Sequence, residues 1–345
     1  MTPTPAVMPK TTPAAATLAA RPDEFAMTRA VSGAPAQVWA AFTTPAQLQQ
    51  WWGPHIIRND DVQMDLRVCG AYRIVQEFGG ILYPLKGEFR RLDAPHQLVM
   101  TMDCSEHPAA WHDGVDAQRG SNANPAGIMV LTVTFDTAAG GNTQLTLRTR
   151  FESARIRDTM VPMGMADGWN ESLEKLDDFT SGKSARTISV SRLYDFPVAV
   201  VFDAFTGADK LAHWWGPNGF TITTQRMDFR EGGVWQFTMH GPASDGKPGI
   251  DYPNKIVYRQ IVPGQLIAHS HGDDTMSDTG EGALFQGHIQ FASFGGQTRL
   301  TNRVEFATAA QRDYVARERE AVEGGQQTLA RLAEYLSLRF PGKPD

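Results

Sequence analysis

Cysteine is nearly missing from this chain: Cys69 and Cys104 are its only two, and neither belongs to a CxxC pair. That excludes a disulfide framework and suits a reducing, cytoplasmic compartment. Long apolar runs are also missing, with no stretch near the roughly 18 to 20 residues that a membrane span needs. Positive charge is not in excess. Lys and Arg total 32 against 38 Asp and Glu, a net charge of -6, and no basic block interrupts the chain, which argues against a nucleic-acid grip. Signatures of nucleophilic catalysis are absent too: there is no GxSxG, no cysteine in a nucleophile signature and no glycine loop to cradle phosphate.

What the chain has is length and repetition. Its 345 residues are about twice one typical domain, so two cores are expected. VWAAFTTPAQLQQWWGP, from Val38, recurs 163 residues later as VFDAFTGADKLAHWWGP, from Val201. Over 36 ungapped positions the copies share 13 identities, where chance gives about two or three. GIMVLTVTFDTAAGGNTQLTLRTRFES likewise resembles GALFQGHIQFASFGGQTRLTNRVEFAT. A period this long means a duplicated domain, since solenoid repeats run about 20 to 50 residues. The polar seam TSGKSART places the domains at 22–182 and 186–341, joined by 183–185 and preceded by a flexible, Thr/Pro/Ala-rich arm over 1–21.

Each copy reads as a short strand (25–32; 187–194), a helix opened by Pro35 or Pro197, and a second short helix stopped by Trp-Trp-Gly-Pro. In copy one, alternating segments follow at 71–78, 86–92, 98–103, 128–135 and 145–151, with Cys69 and Cys104 on strands, and matching segments are expected in copy two. A long helix closes each unit. Its apolar face is Met165, Trp169, Leu173 and Leu176 in copy one, and Val322, Gly325, Leu329, Leu332 and Leu336 in copy two. The segment 105–125 replaces a shorter linker of copy two.

This order is that of the helix-grip, or START-like, fold: α+β, each domain a curved antiparallel sheet wrapped around a long C-terminal helix. FTTPAQLQQWWGP, FTGADKLAHWWGP, MDFREGGVWQFTMHGP, TRLTNRVEF and AVEGGQQTLARLAEYL carry the resemblance. They look like the SRPBCC superfamily, and specifically domains similar to the C-terminal domain of the activator of Hsp90 ATPase. The resemblance implies a cavity between sheet and helix that holds a small hydrophobic or amphipathic ligand. It also implies two rivals: a co-chaperone whose partner is an Hsp90-type chaperone, and a cavity enzyme of the polyketide cyclase or dehydratase kind. Co-chaperones of the family pair this domain with a different N-terminal domain, so non-covalent ligand binding is the leading reading and an enzyme the lesser one. Neither a cofactor nor a metal is expected.

At strand period two, Trp235, Phe237 and Met239, then Ile289 and Phe291, then Leu300, Asn302 and Val304 supply a lining. Trp215, Tyr258 and His269 complete the expected ligand contacts, and a packed core explains the same alternation. His269 and His271 fall at i and i+2 on one strand face, near His240, Asp273 and Asp274, but lack a spaced third metal ligand. Asp65 with Arg67, and Asp228 with Glu231, read as turn charges. Arg317, Glu318, Arg319, Glu320 and Arg331 read as a solvated helix face. Alignment of the closing helices puts Trp169 opposite Gly325, so copy two is expected to be the main binding unit, with its larger cavity beneath Gly325, while an indole plugs copy one.

Overall fold

The computed structural model describes residues 21–120, 123–243, 249–294, 296–318 and 320–341, so all but the last residue of the expected N-terminal arm lies outside the described residues. Two compact units meet in sequence at Thr180 and Ser181.

In domain 1, strand β1 (Glu24–Val31) leads into helices α1 (Pro35–Thr43) and α2 (Pro45–Trp51). Both helices begin on proline, whose missing N–H costs nothing in a first turn. The strands β2 (Arg58–Met64), β3 (Ala71–Phe78), β4 (Ile81–Asp93) and β5 (Gln97–Asp103) follow. A short helix α3 (Ala109–Val115) forms within the 105–125 segment, then come β6 (Ile128–Thr137) and β7 (Thr143–Arg150). The closing helix is broken into α4 (Ala154–Met160) and α5 (Ala166–Thr180), because Gly164 between them stands at φ 100°.

Domain 2 repeats the plan with β8 (Thr187–Tyr194), α6 (Val198–Asp203), α7 (Ala208–Trp214), β9 (Thr221–Met227) and β10 (Val234–His240). Its sheet continues through β11 (Asp251–Val262), β12 (Leu266–Gly272), β13 (Phe285–Phe294) and β14 (Gln297–Phe306), and α8 (Ala309–Glu318) and α9 (Ala321–Arg339) close it. Each sheet is an antiparallel meander of seven strands whose last strand returns beside its first, in the orders β1-β7-β6-β5-β4-β3-β2 and β8-β14-β13-β12-β11-β10-β9. The architecture is tandem α+β helix-grip, with open sheets and not closed barrels.

Leu329, Leu332 and Leu336 of α9 are buried against the inner sheet residues Val190, Trp235, Ile289 and Leu300. Trp169, Leu173 and Leu176 of α5 are buried likewise. Four readings from sequence need correction. The strands β2 and β9, RNDDVQM and TITTQRM, are mostly exposed edge strands whose polar residues hide the alternation. Cys69 sits in a turn at φ 62°, not on a strand, and is a free, exposed thiol, while Cys104 is free and buried just after β5. Val322 turns outward, 41% exposed, and is not part of the buried face of α9. Arg331 is no solvated charge: its guanidinium donates to the carbonyls of Gly216, Pro217 and Phe220 at 2.9 to 3.0 Å. Arg319 lies outside the described residues.

Those Arg331 bonds explain the repeated Trp-Trp-Gly-Pro motif. The first tryptophan is core: the Trp51 indole donates to the Ala41 carbonyl at 3.0 Å, and Trp214 donates to that of Ala204 at 3.3 Å. Gly53 and Gly216 then take φ of 84° and 108°, a left-handed turn that presents carbonyls to the closing helix. Lys175 holds this loop in domain 1 through one bond to Gly53 O at 3.0 Å, where Arg331 makes three.

Candidate functional site

Domain 2 contains a small cavity between sheet and helices. Phe205 between α6 and α7, Leu211 of α7 and Trp215 at its C-terminal end contribute one side, and the turn after β9 contributes Phe229. From the sheet come Trp235 and Ile256, then Tyr258 and His269, with Ile267 and Ile289 at the far end. The space open to the centre of a water-sized sphere is about 10 Å³, roughly the room of one water. No charged side chain lines it. A larger guest therefore requires side chains to move, since typical small-molecule pockets measure about 300 Å³ or more.

Two polar groups stand on neighbouring strands of the cavity wall. Tyr258 and His269 are register partners on β11 and β12, so their side chains emerge on the same face. The Tyr258 hydroxyl makes no hydrogen bond among the described residues, and burial holds its pKa well above the ordinary phenol range. His269 is 5% exposed, and its Nδ1 is buried with no hydrogen-bond partner. Burial pushes its pKa down to about 3, the neighbouring His271 and His288 push in the same direction, and the Ile267 carbonyl opposes them weakly. Its imidazole is thus neutral at physiological pH, offering one donor and one acceptor. The ring has room because β13 carries glycine opposite it: a Cβ on Gly287 would lie 2.3 Å from His269 Cε1 and Nε2.

Domain 1 answers these positions with hydrocarbon. The N–H of Cys69 bonds to Phe89 O as that of Gly232 bonds to Tyr258 O, so Phe89 corresponds to Tyr258. Following register outward, Met100 corresponds to His269, Leu131 to Gly287 and Leu147 to Asn302. Phe89, Met100 and Leu147 are 0%, 2% and 0% exposed, a conventional apolar core. Three inward positions that are apolar in one copy are polar in the other.

The remaining predicted contacts scatter. Trp215 and Trp235 line the cavity with their rings 5.2 Å apart, and the Trp235 indole N–H is satisfied by Thr224 Oγ1 at 3.1 Å. Phe237 lies outside the lining, stacked on Trp235 at 4.0 Å. Met239 packs near the Trp-Trp-Gly-Pro turn, 3.6 Å from where a Gly216 Cβ would stand. Phe291 is wedged between Phe202 and Phe205, at 5.2 and 5.3 Å. Asn302 is half-buried between Val190 and Ile289 and does not reach the cavity. The expectation for Gly325 is overturned. A Cβ there would stand 3.0 Å from Val190 Cγ2, so the bare backbone of α9 gives room to a β8 side chain and not to a void.

Other candidates serve structure. His271 Nε2 pairs with Asn254 Oδ1 at 2.8 Å, and His240 sits between Asp251 and Thr223 at 2.7 and 2.9 Å. Asp65 pairs with Arg67 and Asp228 with Arg230, both at 2.7 Å, on equivalent turns. Among the described residues no group of three or more His, Cys, Asp or Glu could hold a metal. Sequence reasoning missed Phe229 and Gly287. Their signal was the contrast between copies: Phe229 against Leu66 lies within the first repeat, whereas Gly287 against Leu131 emerges only once the strands are in register.

No curated protein matches this chain. Solved structures do. A Chromobacterium violaceum protein is 24% identical, covering 43% of this chain and 95% of its own, with a TM-score of 0.36. An Arthrobacter aurescens protein is 21% identical, covering 50% and 93%, with a TM-score of 0.41. The di-domain ARO/CYC protein BexL, from the BE-7585A biosynthetic pathway, is 14% identical, covering 93% and 99%, with a TM-score of 0.38. The family profile described as activator of Hsp90 ATPase homolog 1-like protein matches twice, over residues 33–180 and 195–337, and this chain belongs to that family with two copies of its domain.

Proposed function

We propose that the protein binds a small, largely apolar molecule without covalent chemistry, and that domain 2 is the binding unit. The observation that carries this reading is the replacement of Phe89 and Met100 by Tyr258 and His269 at inward, cavity-lining positions of the same fold. A buried imidazole nitrogen without a hydrogen-bond partner costs stability that an apolar core does not, on the order of 1 to 3 kcal/mol, and the unpaired Tyr258 hydroxyl sets a second polar group in the same wall. Domain 1 also buries a polar atom without a partner, Thr149 Oγ1, so what distinguishes domain 2 is that two polar side chains line one cavity. Anchors on a hydrophobic wall are what a ligand site requires.

The wall that yields is Phe229. It is half-buried on the turn between β9 and β10, outside the hydrogen-bonded ladder, with its ring edge-on to Tyr258 at 5.1 Å. Domain 1 has Leu66 there, 45% exposed. Titration of the full chain with toluene, followed by ligand-observed NMR, tests the reading. Saturable binding at one site, strengthened several-fold in Phe229→Ala, is expected. Absence of saturable binding by both proteins would overturn it.

A further inference from the structure

The cavity also speaks to the chemistry of its guest, a step that rests on the ligand-binding reading above. From its lining we infer that the ligand is an uncharged molecule whose hydrocarbon body carries a hydrogen-bonding oxygen, best a phenolic or alcoholic hydroxyl, seated between Tyr258 and His269.

Charge is excluded first. A carboxylate or phosphate needs a cation or several N–H donors, and neither Lys nor Arg lines the cavity. An ammonium needs a carboxylate, and neither Asp nor Glu lines it. His269 does not supply the missing charge, since desolvation keeps its ring neutral down to about pH 3. A wholly apolar guest is disfavoured for the opposite reason: it would seal the Tyr258 hydroxyl and His269 away from water with their hydrogen bonds unmade.

An uncharged hydroxyl resolves both constraints. The neutral imidazole has one bare nitrogen and one N–H, and the Tyr258 hydroxyl both donates and accepts. A guest hydroxyl that donates to one and accepts from the other satisfies two protein groups with a single oxygen. Register supports this placement, because side chains at paired positions of antiparallel strands lie about 4.5 to 5.5 Å apart at Cβ, and these two share a face. The body of the guest then contacts Trp215, Trp235 and Phe229, which favour a flat ring.

The test compares four probes of one shape on the full chain by the same NMR titration: toluene, p-cresol, p-toluate and p-methylbenzylamine. We expect p-cresol to bind about tenfold more tightly than toluene, with no saturable binding of the two ions. In Tyr258→Phe, which removes one oxygen, the p-cresol to toluene ratio should fall to within about twofold. Equal binding of toluene and p-cresol by the native chain would overturn this inference and leave the ligand-binding reading standing. Saturable binding of either ion, or a ratio unmoved by Tyr258→Phe, would also overturn it. Failure of all four probes would overturn both readings.

Discussion

Adding one methyl group at Gly287 tests whether the imidazole of His269 is held where its chemistry requires. The new Cβ would stand 2.3 Å from two ring atoms, whereas ordinary contacts begin near 3.4 Å, so about 1 Å must be found. The backbone cannot supply it, because Gly287 pairs with His269 on one side and Val304 on the other, in the middle of the sheet. The ring must rotate away or the strands must part. Overpacking of this kind costs about 1 to 3 kcal/mol, and the rigid flanking ladders put Gly287→Ala towards the upper end. In a His269→Ala background the obstructing ring is gone, and the same substitution should cost less than about 0.5 kcal/mol. The coupling between the two sites is then about 2 kcal/mol, within the range of residues in direct contact. Urea unfolding of the full chain, read by hydrogen exchange in peptides from β11 to β13, isolates domain 2 from domain 1. A cost below about 0.5 kcal/mol in the native background, or the same cost in both, would refute the argument that glycine is there to house the imidazole.

Further outcomes follow from the same geometry. His269 titrates near 3 when folded and near 6.5 when unfolded, so the unfolded chain takes up its proton first. Its contribution to stability is complete above about pH 6.5 and drains as pH falls towards 3, about 2 kcal/mol of it by pH 5. His271, pushed down to about 4 by desolvation, acts in the same direction. In His269→Met, the loss of domain 2 stability between pH 7 and pH 5 should shrink by about 2 kcal/mol in urea titrations at the two pH values, and an unchanged loss would contradict the burial argument. Gly325→Ala sets a gain of about 1 kcal/mol in helix propensity against crowding of Val190, so it should be more stabilising by about 1 kcal/mol in a Val190→Ala background than in the native one, which calorimetry of the single and double variants can measure.

The fold was legible because its cues are local and doubled. Proline at the helix starts, Trp-Trp-Gly-Pro at the helix stops and alternation along β3, β5 and β6 each occur twice, and each copy checks the other. Edge strands β2 and β9 escaped for a physical reason: with little to bury, RNDDVQM carries none of the alternation that marks a half-buried strand. The site was only partly legible. Residue type picked out Trp215, Trp235, Tyr258 and His269, because aromatics and imidazole at strand period two are visible in one dimension. Phe237, Phe291 and Asn302 satisfy the same pattern yet lie outside the cavity, since period fixes a face and not a depth. Gly325 misled because a helical glycine signals close approach without naming what approaches, which here is Val190. Leu131 and Gly287 fall at different offsets from the first repeat, so their contrast surfaced only through strand pairing.

The guanidinium of Arg331 ties the closing helix of domain 2 to the Trp-Trp-Gly-Pro turn. Three carbonyls of the Gly216 turn share the two hydrogens of Arg331 Nη1 in the middle of α9, so freeing them together would forfeit the equivalent of at most two bonds to a charged group, each worth about 1.5 to 3 kcal/mol before solvent screening. The helix and its turn are thereby joined, and separating them breaks those bonds. The Phe229 side chain has no hydrogen bond to tether it, so under the proposed ligand binding the β9–β10 side is the expected way in and α9 the fixed side. In domain 1 the single Lys175 bond makes a weaker tie, with an ammonium that burial lowers to about 8. The copy with the apolar floor thus has the looser roof, and the copy with the polar floor has the tighter one.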